Sequence, residues 1–129
     1  MDDAAERGAN DGLGNFLLNY EEVIDMTKEE VFREIREMEP VLGRGGKDVV
    51  LGEKIVTPLT MGYFFNEEIG MWEVYACGER SEYFVHKQTG SEQEAVEDLY
   101  GDVKYEYKLT LRHLERERQR KERMQNGQK

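Results

Sequence analysis

Two helix-capping motifs constrain the fold of this chain more than any other feature of its sequence. Thr27 to Glu30 and Ser91 to Glu94 both fit a capping box, in which a hydroxyl accepts from the amide three residues on and the Glu side chain reaches back. Apolar residues at three- and four-residue spacing follow each motif. They are Val31, Phe32, Ile35 and Met38, and then Ala95, Val96, Leu99, Tyr100, Val103, Tyr107, Leu111 and Leu114. The pattern predicts one helix ending near Pro40 and Gly43 and a long C-terminal amphipathic helix.

Between the two motifs the apolar pattern changes to runs of β-branched and aromatic residues, which predict strands. The runs cover residues 48–51, 54–61, 63–65, 71–77 and 83–87. Turn-forming residues at 66–70 and 78–81 predict hairpins, so we expect an antiparallel meander of about four strands. Alternation places Trp72, Val74 and Ala76 toward the core and Glu73, Tyr75 and Cys77 outward. The fold class is therefore α+β, with both helices expected on one face of the sheet.

Composition and charge divide the chain into three parts. Residues 1–20 are rich in Gly, Asn and Asp and are expected to form a flexible leader, and residues 21–115 a single domain. Residues 116–129 are expected to be a charged tail, helical or disordered. An interruption of the long helix is possible at Gly101, because glycine is a poor helix former.

The charge and cysteine content exclude several classes of protein. The net charge of −10 argues against a nucleic-acid binder, although residues 104–129 hold nine Lys and Arg against four Asp and Glu. We expect no membrane segment, since no apolar run approaches the roughly 20 residues that span a bilayer. The N-terminus lacks a signal peptide's basic start, and Cys77 is the only cysteine. A cytoplasmic protein without disulfides is predicted.

No motif with a specific chemical signature emerges. The glycine-rich segment 43–48 lacks the first glycine and the hydroxyl residue of a phosphate-binding loop, so we interpret it as a connection. Cys77 with His86 could form a nucleophile and base, but a packed cysteine is the favoured interpretation. Likewise Glu79 with Arg80 is interpreted as a surface pair. The sequence thus predicts a protein that is not an enzyme and has no catalytic residue, cofactor or metal.

The remaining feature is a group of acidic residues around the predicted strands. If these residues share one edge of the sheet, they would attract a basic protein. Solubilising charge alone is the competing explanation. The expected partner-binding residues are Glu67, Glu68, Glu73, Tyr75, Glu79 and Glu82, with Tyr63 as another possible aromatic anchor.

The succession of these motifs resembles that of a known family. The sequence has a capped helix, then a meander with Met71-Trp72-Glu73-Val74-Tyr75 and Gly78-Glu79-Arg80, and then a helix that begins with acidic residues and Ala95. This succession is similar to that of bacterial immunity proteins, and most similar to the Immunity protein 59 family. The resemblance covers about residues 26–114, and the leader and tail depart from it. It implies a protein that binds a cognate toxin domain, such as a basic nuclease, and blocks its active site.

Two further hypotheses remain open at this stage. A regulatory or adaptor subunit would pair through the long C-terminal helix, and either a monomer or a homodimer is compatible with the sequence. In the charged tail, the Arg and Lys residues could grip RNA, but their interleaving with Glu115, Glu117 and Glu122 favours intrahelical ion pairs.

Overall fold

The computed structural model describes residues 26–126, which form two helices and a four-stranded sheet. The elements are α1 (Lys28–Arg44), β1 (Asp48–Leu51), β2 (Thr60–Asn66), β3 (Met71–Cys77), β4 (Tyr83–Thr89) and α2 (Glu92–Asn126). This order confirms the predicted α+β class. The expected leader, residues 1–20, lies outside the described residues, as does the end of the predicted tail.

Helix α1 begins where the sequence predicts but ends later. The capping box is complete, because Thr27 Oγ1 accepts from the Glu30 amide and Glu30 Oε1 accepts from the Thr27 amide. Pro40 does not end the helix, which continues to Arg44, one residue beyond the predicted Gly43, and is capped at Gly45. Leu42 is fully buried in the last turn, and this packing outweighs the hydrogen bond that proline removes.

The sheet is mixed rather than a purely antiparallel meander. The strand order is β1-β2-β3-β4, and β2, β3 and β4 pair antiparallel through the two predicted hairpins. In contrast, β1 pairs parallel with β2, so the prediction for the first strand pair is wrong. The run 54–61 is also mostly not a strand, because residues 52–59 form an irregular connection that returns the chain to the start of β2.

This connection, which we call the strap (residues 52–59), covers the face of the sheet opposite the helices. Tyr75 fixes it: its hydroxyl donates to the Glu53 carbonyl at 2.8 Å and accepts from the Ile55 amide at 3.0 Å. The Lys54 ammonium lies 4.5 Å from the centroid of the Tyr83 ring. Tertiary contacts with the outer face of the sheet thus hold a segment that has no repeating structure of its own.

Both helices pack on the other face of the sheet and run in the same direction. Near their first turns Lys28 Nζ lies 3.3 Å from Glu92 Oε2, and past the end of α1 Lys47 Nζ lies 3.2 Å from Thr110 Oγ1. Helix α2 crosses β2, β3 and β4, while α1 lies beside β1. The side chains of Val74, Trp72 and Ala76 belong to this core or pack against it, which confirms the predicted core face of β3. The buried members are Val31, Ile35, Met38, Leu42, Val49, Met61, Tyr63, Val74, Ala95, Val96, Leu99, Tyr100 and Val103.

Helix α2 extends well beyond the sheet. Thr110 is its last buried residue, and the 16 residues that follow project for about 24 Å at about 1.5 Å per residue. Leu111, which the periodicity assigned to the apolar stripe, is 41% exposed because no sheet remains beneath it. The predicted charged tail is helical as far as Asn126.

Glycine 101 offers a direct test of helix propensity in α2, which is continuous through this position. A Cβ atom added here would meet no other atom within 4 Å, and its φ is not positive. Gly101→Ala is therefore expected to raise the free energy of unfolding by about 1 kcal/mol, measured by urea denaturation. An unchanged or lower value would show that the glycine serves another purpose.

Candidate functional site

The structure separates the predicted acidic residues instead of gathering them on one edge. Glu67 and Glu68 lie in the β2–β3 hairpin, whereas Glu79 and Glu82 lie in the β3–β4 turn. These connections are at opposite ends of β3, which spans about 20 Å at about 3.3 Å per residue. The four exposed acids therefore lie in two separate turns rather than in one cluster.

Glu73 lies on the predicted outward face of β3 but is buried there, with 3% of its surface exposed. Its carboxylate accepts from Asn66 Nδ2 at 3.1 Å, Gln88 Nε2 at 2.9 Å and the Tyr83 hydroxyl at 2.6 Å. Burial opposes ionisation, but these hydrogen bonds and nearby Lys54 outweigh it and lower the pKa of Glu73 below its usual value. Glu73 is thus placed to organise the sheet rather than to meet a partner.

Tyr75, the expected aromatic anchor, is fully buried on the same face. The strap covers its ring, which stacks on Tyr83 with ring centroids 5.2 Å apart. Burial, together with nearby Cys77 and Glu53, raises the pKa of Tyr75 against the effect of the Ile55 amide. The expectation that Tyr75 is exposed for binding therefore does not hold in this structure.

The β2–β3 hairpin presents an exposed surface that combines apolar and acidic residues. Phe65 at the end of β2 is 43% exposed and Ile69 in the loop is 46% exposed. Glu67 and Glu68 lie between them in the chain, are exposed, and form no ion pair with any residue from 26 to 126. We call Phe65, Glu67, Glu68 and Ile69 the hairpin tip. Sequence reasoning found its two acids but missed both apolar residues.

The conformation of the hairpin tip is set by Asn66. Its Oδ1 accepts from the Glu68 amide at 3.0 Å and its carbonyl accepts from the Gly70 amide at 2.8 Å. Gly70 closes the loop with a φ of 68°, a value that favours glycine. Because Asn66 Nδ2 donates to the buried Glu73, the loop is tied to the interior of the sheet. Such preorganisation reduces the entropy lost on binding.

A series of aromatic rings supports the hairpin tip from below. The Phe65 ring meets Trp72 edge to face at 5.1 Å between centroids, and Trp72 lies 5.8 Å from Tyr63. The Tyr63 hydroxyl donates to Glu92 Oε2 at 2.9 Å, which ties β2 to the first turn of α2. Burial and the Glu92 carboxylate both raise the pKa of Tyr63. Phe65 is therefore an exposed end of the core rather than an isolated surface ring.

The β3–β4 turn at the other end is differently arranged. The Glu82 carboxylate accepts from the Arg80 amide at 2.9 Å, and Ser81 adopts a φ of 66°. Since one acid of this turn is used to hold the turn itself, Glu79 is the acidic residue that remains free to bind a partner. Of the residues that the sequence nominated, Glu67, Glu68 and Glu79 are exposed without an internal role in the described fold.

The structure does not bring Cys77 and His86 together, and it gives the lysine of the glycine-rich segment another role. Cys77 is buried on the strap side of β3, whereas His86 Nδ1 lies 2.8 Å from Asp102 of α2 on the helix side. A shift in the β3–β4 register turns His86 toward α2. In the glycine-rich segment, Lys47 pairs with Glu106 at 2.7 Å and with Thr110, so its ammonium is used to join α2 to the loop.

Comparison with known proteins adds no relative: no family model, curated protein or solved structure matches this chain. Within residues 26–126, no three His, Cys, Asp or Glu side chains are grouped as metal ligands would be. Over the same residues, neither helix has the length and apolar character needed to cross a bilayer.

Proposed function

We propose that this protein binds and neutralises a basic toxin domain in the cytoplasm of the cell that produces it, with the hairpin tip as the contact surface. The main observation in support is that Phe65 and Ile69 are exposed beside two unpaired carboxylates on a preorganised loop. Interfaces with high affinity typically centre on aromatic or apolar anchors inside a polar rim. The hairpin tip has that composition on a small scale.

The charge of the tip supports the choice of a basic partner. Glu67 and Glu68 are free to pair with Lys or Arg, and their carboxylates would occupy the positions that substrate phosphates take in a nuclease. The resemblance of the sequence to bacterial immunity proteins supports the same role. The proposal narrows the predicted contact to the hairpin tip, because Phe65 and Ile69 are exposed there, and it leaves out Glu73 and Tyr75, which are buried.

The function is tested by co-expression with a candidate basic toxin domain, chosen as the variable C-terminal domain of a secreted protein if one is encoded next to this gene. We expect growth to be rescued and the two proteins to purify together as a stable complex. Growth arrest with an active toxin domain, and no complex, would reject the proposed function.

Charge reversal at the tip then tests the contact surface. Glu67→Lys with Glu68→Lys should weaken binding of the toxin domain by about 10- to 100-fold, because two attractive contacts become repulsive. Isothermal titration calorimetry at moderate salt would measure the affinity of each variant for the toxin domain. The matched control is Glu37→Lys with Glu53→Lys, which changes the net charge equally on exposed residues of α1 and of the strap. If the control weakens binding as much as the tip variant, the contact lies elsewhere.

The projecting part of α2 supports a second candidate, an adaptor that pairs through this helix. About 24 Å of helix lies clear of the sheet, which is long enough to pack along a partner helix. Its apolar content is low, with Leu111 and Met124 among the exposed residues. Alanine at exposed positions of this helix, such as Leu111, separates the two proposals: it would abolish assembly of a helix-paired adaptor but leave toxin binding at the hairpin tip unchanged.

A further inference from the structure

Four arginines occupy one side of the projecting part of α2. Arg112, Arg116, Arg120 and Arg123, which we call the arginine stripe, fall within an arc of about 80° at about 100° per residue. Three of them line a single open depression of about 370 Å³, together with His113, Glu117 and Gln119. The side chains are therefore presented to the same region of solvent.

The acids of this segment are already paired with other residues. Arg118 pairs with both Glu115 and Glu122, and His113 Nε2 lies 3.0 Å from Glu117 Oε2. The intrahelical ion pairs expected from the sequence are thus confirmed for Arg118. The four arginines of the stripe form no ion pair with any described residue, so their positive charge is not neutralised within the fold.

The acidic body of the protein does not cancel this charge. Arg116 lies about 9 Å and Arg123 about 20 Å along the helix from Thr110, the last buried residue. The Debye length at physiological salt is about 8 Å, so most of the stripe is screened from the body. At the end of α1, Arg44 lines a second depression with His113, and the nearby Lys47 is already paired with Glu106.

We propose that the arginine stripe binds the phosphate backbone of duplex DNA without sequence preference. Guanidinium groups form paired hydrogen bonds with phosphate, and all four residues are arginine rather than lysine. A helix about 10–12 Å across fits the B-DNA major groove, which is about 12 Å wide. Duplex DNA also carries about one charge per 1.7 Å, a denser line of charge than a single strand offers. This site is independent of the hairpin tip and of the proposed function.

The test is the salt dependence of binding to a short fluorescent DNA duplex of mixed sequence, followed by anisotropy. Four phosphate contacts predict a slope of about −3.6 for the logarithm of affinity against the logarithm of salt. Affinity should therefore fall about 150-fold between about 50 and 200 mM salt. Arg116→Gln with Arg120→Gln should halve the slope, to about −1.8, and reduce the fall to about 12-fold.

A matched control removes the same charge away from the stripe. Arg33→Gln with Lys121→Gln neutralises one exposed residue of α1 and one on the opposite side of α2, neither of which forms an ion pair with a described residue. It should keep the wild-type slope, and circular dichroism should show equal helix content in all three proteins. Absence of DNA binding at about 50 mM salt, or an equal decrease of the slope in both variants, overturns the proposal. Self-association that depends on the stripe, without DNA binding, would overturn it in favour of an acidic surface on a second copy.

Discussion

Gly62→Ala is expected to destabilise the protein by about 3 kcal/mol, because there is no room for a methyl group at this position. A Cβ atom here would lie 2.3 Å from the Val50 carbonyl oxygen and 2.9 Å from the Tyr75 hydroxyl. The first neighbour is backbone of the paired strand β1, so the parallel pair itself would have to move apart. The melting temperature should fall by roughly 15 °C for a domain of this size.

Thermal and urea denaturation followed by circular dichroism would measure this loss. Gly90→Ala is the control, since a Cβ atom there would meet nothing within 4 Å and its φ is not positive. The control should lie within about 0.5 kcal/mol of the wild type. A Gly62→Ala protein as stable as the control would mean that β1 and Tyr75 do not approach β2 as closely as described.

Glu73→Gln is expected to cost about 2 kcal/mol at neutral pH, because it exchanges a buried carboxylate with three donors for a neutral amide. The amide keeps one acceptor oxygen but turns an NH₂ group toward one of the three donors. Urea denaturation at neutral pH would measure the loss. Glu79→Gln, at an exposed acid without such bonds, should leave stability unchanged.

The loss from Glu73→Gln should also depend on pH in a defined direction. The pKa of Glu73 is lowered in the folded protein, so its contribution is present above the unfolded value of about 4.5 and is lost as the pH falls through the folded value. The stability difference between wild type and Glu73→Gln should therefore narrow in acid, below about pH 4.5. A gap that stays constant from neutral pH into that range would show that the Glu73 carboxylate is not responsible.

Much of the fold follows from local chemistry that can be read in the sequence. The capping box at Thr27 is complete, and that at Ser91 is half formed: Ser91 Oγ accepts from the Glu94 amide, but Glu94 bonds Thr89 instead. Strand β3 and the two hairpins were predicted from alternation and turn residues within a few positions. These features depend on neighbours in the chain, which is why a sequence pattern reveals them.

The parts that sequence reasoning missed depend on distant residues. Nothing near residues 52–59 indicates that the chain will return over the outer face, because the contacts that hold it there come from Tyr75 and Tyr83. Glu73 alternates as a solvent-facing residue should, and only the strap and the partners on β2 and β4 enclose it. Phe65 alternates as a core residue, but it lies at the strand end that the helices leave uncovered.

The length of α2 places the hairpin tip and the arginine stripe at opposite ends of the molecule. Helix α2 starts beside the hairpin tip, where Glu92 meets Tyr63, and ends with the arginine stripe, so about 46 Å of helix separates Glu92 from Arg123. If both proposed ligands bind, this length of helix separates the contact at the hairpin tip from the contact at the arginine stripe. The helix acts as a rigid spacer, and its length rather than any hinge fixes how far apart those ligands are kept.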